Sequence, residues 1–185
     1  MKRFEGKVAI VTGAGCVGPG WGNGRATTVR FAEEGARVLA VDRDLDRLAE
    51  TLECAGEFRD SIRIAQCNVT DAKSIASMVA EAAKTFGRID VLVNNVGGSA
   101  HGGPVEMSED VFDAQVDHNL KSVFFTCKHV LPIMEKQGAG AIVNVSSTSA
   151  LRDTAAAVAF LASDDARFIT GTEIVVDGGM IARVG

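Results

Sequence analysis

The stretch that decides the fold is KVAIVTGAGCVGPGWGNGRATTVR, residues 7–30. It opens with an unbroken apolar run, residues 8–11, which is typical of a parallel strand covered on both faces. Glycines let the next turn bend tightly and let a phosphate approach main-chain N–H groups at a helix start. The pattern predicts a phosphate cradle for a dinucleotide, with glycines at Gly13, Gly15, Gly18, Gly20, Gly22 and Gly24.

A glycine-rich stretch alone is weak evidence, because structural surface loops also collect glycine. Here a helix, residues 25–34, follows the turn, and a second apolar strand, residues 37–42, ends in Asp42. A carboxylate at that place can accept hydrogen bonds from an adenosine ribose. The order strand, turn, helix, strand and acid favours the dinucleotide interpretation over a structural loop. The turn is longer than usual by residues 16–21, which we expect to lie on the surface beside the cofactor.

Bulk composition limits the possible functions. A chain of 185 residues with 46% hydrophobic content is sized for one domain, and we expect no independent second one. A net charge of −5 and a pI near 5.2, without a basic run, argue against partners such as nucleic acid or an anionic membrane. A ligand's phosphates would therefore be met mainly by backbone dipoles.

The cysteines and the N-terminus suggest the compartment. Cys16, Cys54, Cys67 and Cys127 show no CxxC spacing, and the start MKRFEGKVAIVTG lacks a signal-peptide pattern. No apolar run approaches the length that spans a bilayer. We therefore expect reduced thiols in a soluble, cytoplasmic protein.

The remaining chain alternates between the two periodicities of strand and helix. This alternation predicts a doubly wound parallel α/β sheet with helices on both faces. The further predicted strands are residues 62–69, 89–93, 140–145 and 172–177. The further predicted helices start at Asp44, Asp71, Ser108 and Asp153, and Pro132 should kink or end the third of these near Met134.

Polar residues follow two of these strands, where ligands bind in open α/β sheets. Residues 94–98 read Asn-Asn-Val-Gly-Gly, and residues 146–149 read Ser-Ser-Thr-Ser, although the serines could also form a merely polar loop. Asn119 interrupts the apolar stripe of a helix. From spacing alone, a core amide satisfied by backbone and a functional amide are equally good interpretations of Asn119.

Taken together, these segments resemble the short-chain dehydrogenase/reductase family. The matching motifs span nearly the whole chain: TGAG…GNGRA (12–26), Asp42, NNVG (94–97), DHNL around Asn119, IVNVSS ending at Ser147, and FLASDDARFITGTEIVVDGG. The resemblance implies a single Rossmann-type domain over residues 1–185, NAD or NADP as cofactor, and hydride transfer at an alcohol or carbonyl carbon. It also implies a small alcohol or ketone substrate and a homodimer or homotetramer.

The resemblance also implies roles for individual residues. Ser147 corresponds to the catalytic serine that hydrogen-bonds the substrate oxygen, and Asn119 to the asparagine that holds a proton-relay water. Asp42 goes with NAD, because a carboxylate repels the 2′-phosphate of NADP, although Arg43 keeps dual use open. Asn68 and Val96 replace an aspartate and an alanine of the family pattern. The implied cofactor-binding set, with no metal site, is Gly13, Gly15, Gly22, Asn23, Gly24, Asp42, Asn68, Val69, Asn95 and Gly97.

One departure from the family concerns the chemistry itself. The family's general acid/base is a tyrosine paired with a lysine on the helix after the Ser147 strand, yet this sequence contains no tyrosine. After residues 151–152 the chain continues with what corresponds to the helix before the last strand, so a crossover of at least roughly 30 residues is missing. Either the protein contains residues between Arg152 and Asp153 that this sequence lacks, or the chain is truly shortened. We favour the first, because deletion of a crossover leaves strand edges unpaired.

Three functions from different classes remain. The leading hypothesis is an NAD(P)-dependent oxidoreductase that acts on a secondary alcohol or ketone. The alternative is a non-catalytic dinucleotide-binding protein, which keeps the cradle without the chemistry. The third hypothesis is a folded remnant without ligand.

Overall fold

The computed structural model describes residues 2–18, 20–146 and 154–176. Its strands are β1 (Val8–Thr12), β2 (Arg37–Asp42), β3 (Ile62–Gln66), β4 (Val91–Asn94) and β5 (Ala141–Asn144). Its α-helices are α1 (Asn23–Glu33), α2 (Leu45–Cys54), α3 (Ala72–Phe86), α4 (Glu109–Val116), α5 (Ser122–Gln137) and α6 (Thr154–Leu161). A π-helical turn, Asp117–Lys121, joins α4 to α5, and 3₁₀ turns cover Gly56–Ser61 and Asp164–Ala166.

The five strands form one sheet in the order β3-β2-β1-β4-β5, and every neighbouring pair is parallel. The chain steps outward from β1 to β3, returns to the other side of β1, and steps outward again through β4 to β5. This is the doubly wound arrangement predicted from the sequence. The strand order reverses between β1 and β4.

Two hydrophobic cores cover the two faces of the sheet. In β1, Ala9 and Val11 belong to one core and Ile10 to the other, and all three are fully buried. Helices α1, α2 and α6 contribute to the first core, and α3 and α5 contribute to the second. Burial on both faces explains why the central strands read as unbroken apolar runs.

Local signals set several helix ends as predicted. The Asp44 carboxylate accepts hydrogen bonds from the N–H groups of Asp46 and Arg47 at the start of α2. Asp71 accepts from Lys73 N–H at the start of α3, and Gly87, with φ +77°, ends that helix. These caps satisfy backbone groups that have no partner inside the helix.

Two predicted boundaries need correction. The third strand stops at Gln66 rather than at residue 69, because its neighbour β2 ends at the paired residue, Asp42. Helix α5 continues through Pro132 to Gln137 instead of ending near Met134. Burial of Val130 and Met134 in the second core offsets the hydrogen bond that proline cannot donate.

The predicted last strand is wrong in its described part. Residues 172–176 are exposed and belong to no strand. A strand forms only where a neighbour satisfies its backbone, and β5 is the last strand of the sheet on this side. The helix start predicted at Asp153 lies outside the described residues.

The outer edge of β5 faces a cavity of about 1040 Å³ that extends to residues 172–174. Backbone N–H groups of Ala141 and Val145 donate to Asp90 and Asn94 on the β4 side. Because alternate residues of a strand face opposite edges, Ile142 and Asn144 turn their backbone groups toward the cavity. Within the described part of the chain, that edge has no partner strand.

Candidate functional site

A crevice opens where the strand order reverses, at the carboxyl ends of β1 and β4. Gly13 follows β1 and Asn95 follows β4, and the Asn95 Nδ2 group donates to the Gly13 carbonyl at 3.0 Å. The structure therefore brings the glycine-rich turn and the asparagine turn together at the switch point, where ligands of open α/β sheets bind.

The glycine turn folds closely against the start of α1. Gly13 has φ +64°, and a Cβ atom on Gly24 would lie 1.9 Å from the Gly13 carbonyl oxygen. Helix α1 has Gly22 as its N-cap, with no side-chain capping bond. In contrast to α2 and α3, α1 presents its first N–H groups without a carboxylate cap. This is the local geometry of an anion-binding helix start.

Asp42 is fixed at the side of this turn. Its Oδ2 atom accepts from Gly15 N–H at 3.0 Å, and its Oδ1 atom accepts from Asp44 N–H at 3.2 Å. A Cβ on Gly15 would meet Asp42 Oδ2 at 2.9 Å. A carboxylate has about four acceptor positions, so half of them stay available for ribose hydroxyls.

Thr12 and Asn95 lock the ends of β1 and β4 together. The buried Thr12 hydroxyl donates to Val93 O at 3.2 Å and accepts from Asn95 N–H at 3.1 Å. Asn95 Nδ2 also lies 3.3 Å from Thr12 O. Asn95 therefore braces the floor of the crevice, a structural task that sequence reasoning did not assign to it.

A buried polar chain lies behind this floor. Asn94 accepts from the Thr126 hydroxyl at 2.7 Å and donates to Asn144 Oδ1 at 2.9 Å, which links β4, α5 and β5. The role of Thr126 was not predicted from the sequence. The adjacent asparagines at the end of β4, Asn94 and Asn95, were a signal that a buried polar partner was needed there. Burial raises the pKa of the neighbouring Cys127 thiol, so that thiol stays protonated rather than nucleophilic.

Asn119 lies on the π-helical turn and holds the loop after β4. Its Oδ1 atom accepts from Gly98 N–H at 3.0 Å, and its Nδ2 group donates to Gly98 O at 3.0 Å and to Gln115 O at 2.8 Å. Asn119 is exposed rather than part of a core, but its amide is satisfied by backbone groups, as the core-amide interpretation expected. π-Helical turns are frequent at functional sites, and this one faces the Gly97 backbone.

The other predicted cofactor residues fall on the same edge of the sheet. Asn68 follows β3, and its side-chain oxygen accepts from Thr70 N–H at 3.1 Å. Val69 beside it is buried, and Asn23 is the half-buried first residue of α1. Trp21 is 60% exposed, which confirms the surface position predicted for the inserted turn.

The proton-transfer part of the site is not assembled from the described residues. Ser147 lies outside them, and no tyrosine occurs anywhere in the sequence. Among residues 2–18, 20–146 and 154–176, no group of His, Cys, Asp and Glu side chains could hold a metal ion. In the same part of the chain, no helix combines the length and apolarity needed to cross a bilayer.

Comparison with known proteins identifies the family. The model for short chain dehydrogenases matches residues 7–167. The chain belongs to the short-chain dehydrogenase family. The chain is 42% identical over 145 residues to the 3-oxoacyl-(acyl-carrier-protein) reductase FabG of Thermotoga maritima, and the match covers 78% of this chain and 57% of the relative.

Solved structures agree with this assignment. A crystal structure described as that of a short-chain dehydrogenase/reductase from Burkholderia xenovorans superimposes with a TM-score of 0.95 at 42% identity, and the match covers all of both chains. An NAD⁺-bound xylitol dehydrogenase superimposes with a TM-score of 0.71 at 34% identity, over 79% of this chain and 55% of the other. The dehydrogenase fold is therefore shared at substantial sequence identity.

The relatives differ from this chain in length. The chain spans 57% of FabG, less than two thirds of its length. The 7alpha-hydroxysteroid dehydrogenase of Bacteroides fragilis is 30% identical over 257 aligned positions, which include 97% of this chain and 96% of the relative. Because 257 aligned positions exceed the 185 residues of this chain, that alignment contains gaps in this chain.

Proposed function

We propose that this protein is an oxidoreductase that transfers a hydride between NAD and a secondary alcohol or ketone, with NAD held in the crevice between β1 and β4. One observation carries the proposal: the uncapped start of α1 packs so closely on Gly13 that only a glycine fits at position 24. That geometry leaves main-chain N–H groups and the helix dipole for a pyrophosphate. The names of the relatives, dehydrogenases and reductases, support the same reaction class.

The residues present fit a dinucleotide along the carboxyl edge of the sheet. The glycine turn with Gly22, Asn23 and Gly24 would hold the pyrophosphate, and Asp42 the adenosine ribose. Asn68 and Val69 would contact adenine, while Asn95 and Gly97 would line the second ribose. Bound NAD would supply the hydride acceptor, and the protein's own residues would orient it.

The preference for NAD over NADP follows from Asp42. Its carboxylate is held against Gly15 by a hydrogen bond from the Gly15 N–H group. A 2′-phosphate at that place would meet a fixed negative charge, whereas ribose hydroxyls can donate to it. Arg43, which is exposed beside Asp42, is the group that could reduce the difference in affinity between NAD and NADP.

Catalysis needs a group that exchanges a proton with the substrate oxygen. We propose that Ser147 binds that oxygen and that Asn119 holds a relay water. The tyrosine and lysine would belong to a segment between Arg152 and Asp153, in keeping with the gaps in this chain that the alignment with the Bacteroides fragilis relative requires. The whole protein would work in the cytoplasm on a small-molecule substrate, as a homodimer or homotetramer.

Calorimetric titration of NAD⁺ and NADP⁺ tests the cofactor assignment. The unsubstituted chain should bind NAD⁺ more tightly, and Asp42→Ala should narrow the difference between the two affinities. Asp60→Ala, which removes an exposed acid from the 3₁₀ turn before β3, is the matched control and should leave the difference unchanged. Tighter binding of NADP⁺ by the unsubstituted chain would contradict the proposal, and equal effects of the two substitutions would contradict the role of Asp42.

A further inference from the structure

A buried arginine stands in the first turn of α1, directly beside the glycine cradle. Arg25 is only 3% exposed, and its guanidinium group has three partners. Nη1 donates to the Gly20 carbonyl at 2.8 Å, Nε donates to the Thr51 hydroxyl at 3.2 Å, and Nη2 donates to Glu50 Oε2 at 2.7 Å. These partners connect the inserted turn, α1 and α2.

The position of Arg25 is unfavourable by local rules. A cation in the first turn of a helix opposes the helix dipole, and a buried charge is costly unless it is paired and hydrogen-bonded. The three contacts supply that pairing. Burying this charge at a helix start is unfavourable for α1 itself, whereas its hydrogen bonds reach the inserted turn and α2. We therefore look for the role of Arg25 in the segments that it connects.

The arginine network holds both ends of the glycine-rich turn. The Thr51 hydroxyl, which accepts from Arg25, also lies 2.9 Å from the Ala14 carbonyl at the beginning of the turn. Arg25 itself holds Gly20, which has φ +101°. Between Gly20 and the N-cap Gly22 stands Trp21, whose indole is exposed. Fixing the Gly20 carbonyl therefore fixes where Trp21 is presented.

We propose that Arg25 is a positioning residue for the dinucleotide: it anchors the inserted turn through Gly20, so that Trp21 packs against the bound cofactor. The inference rests on the dinucleotide binding proposed above. Arg25 does not touch the ligand in this account. It acts through the backbone of the turn.

The protein's single tryptophan makes the proposal measurable, because all indole fluorescence comes from Trp21. Arg25→Met should lower the fluorescence anisotropy of Trp21 in the cofactor-free chain and raise the Kd for NADH about tenfold. Arg25→Lys keeps the charge but has fewer hydrogen-bond donors. Its anisotropy and its Kd for NADH should lie between those of the unsubstituted chain and those of Arg25→Met. The matched control is Arg30→Met, which removes a half-exposed arginine from the same helix, bonded to Glu34 rather than to the turn. It should change neither quantity.

Several results would overturn the inference. A folded Arg25→Met chain with unchanged Trp21 anisotropy and unchanged NADH affinity contradicts it. An equal loss of anisotropy and of NADH affinity in Arg30→Met contradicts it as well. If Arg25→Met does not fold, the variants Trp21→Ala and Thr51→Val are measured instead. If both of these variants bind NADH as tightly as the unsubstituted chain does, the inference is contradicted. If the unsubstituted chain itself binds no NADH, the proposed function fails together with this role, whereas NADH binding insensitive to Arg25 defeats the positioning role alone.

Discussion

The region up to β4 and the region from β5 onward differ in how completely their strands are paired and covered. In the first region, β1 has strands on both sides, and α1 and α3 cover opposite faces of the sheet. In the second region, β5 borders a cavity of about 1040 Å³, and residues 172–176 are exposed, with no partner strand among the described residues. A glycine cradle is built within one short strand-helix-strand unit, whereas a further parallel strand needs a neighbour from elsewhere in the chain. The region proposed to bind the cofactor can therefore be complete while the region proposed for catalysis is not.

The largest expected effect concerns turnover. The 185-residue chain should oxidise secondary alcohols at no appreciable rate, because general acid/base catalysis contributes typically about 10²- to 10⁴-fold and no tyrosine is present to supply it. A version with a tyrosine- and lysine-bearing crossover between Arg152 and Asp153 should gain that factor. NADH formation with a panel of secondary alcohols measures both.

The control for turnover is the same inserted crossover with its tyrosine replaced by phenylalanine, which restores the strand without the proton donor. It should stay inactive. Comparable turnover by the chain with and without the insertion would mean that a residue interpreted here as structural transfers the proton.

The same substitution made in each region should cost very different amounts of stability. Ile10→Ala removes a fully buried side chain of β1, and the free energy of unfolding should fall by about 2–5 kcal/mol. Ile174→Ala removes a side chain that is 48% exposed, and the change should stay within about 0.5 kcal/mol. Urea denaturation of the two variants measures the contrast. Equal losses would show that residues 172–176 are packed in solution.

Sequence reasoning succeeded where the determinants were local. The run from Val8 to Asp42 carries its own periodicity, turn glycines and terminal acid, and the structure places them as predicted. It failed for residues 172–176, because strand formation there depends on a neighbour that no local pattern reveals. Arg25 was missed for a similar reason, since its meaning depends on Thr51 reaching it from α2. Asn119 stayed ambiguous because a π-helical turn shifts the side chain away from the face that regular helical spacing assigns to it.

Two glycines of the cradle should respond differently to alanine. Gly24→Ala places a Cβ 1.9 Å from a backbone oxygen, so we expect a loss of about 1–3 kcal/mol in stability and weaker NADH binding. Gly18→Ala has no atom within 4 Å of the new Cβ and should change the stability little. Thermal unfolding with and without NADH checks both. A harmless Gly24→Ala would show that the turn does not pack on α1 as described.

The smallest expected effect is on acid stability at the opposite end of the sheet. Burial alone would raise the pKa of Asp90, but the hydrogen bonds from Arg88 and from Val8 N–H outweigh it and hold that pKa below its usual value. Because the folded pKa is lower than the unfolded one, the contribution is present above the usual aspartate pKa of about 4 and is lost as pH falls through the folded value.

Asp90→Asn should therefore flatten the decrease in unfolding free energy between about pH 5 and pH 2. At neutral pH it should cost on the order of 1 kcal/mol, since the amide oxygen can still accept from Val8 N–H. Asp60→Asn, which changes an exposed acid, is the control. An unchanged pH profile in Asp90→Asn would show that the Arg88 pair does not stabilise the fold.

The most direct test of the central claim is to map NADH binding onto the backbone amides of the 185-residue chain by NMR chemical-shift titration. We expect saturable shifts to cluster at Gly13, Gly15, Gly24 and Asn95, with none at Ile142 or at residues 172–176. Shifts that cluster around the cavity beside β5, or no saturable shifts at any cofactor concentration, would contradict it.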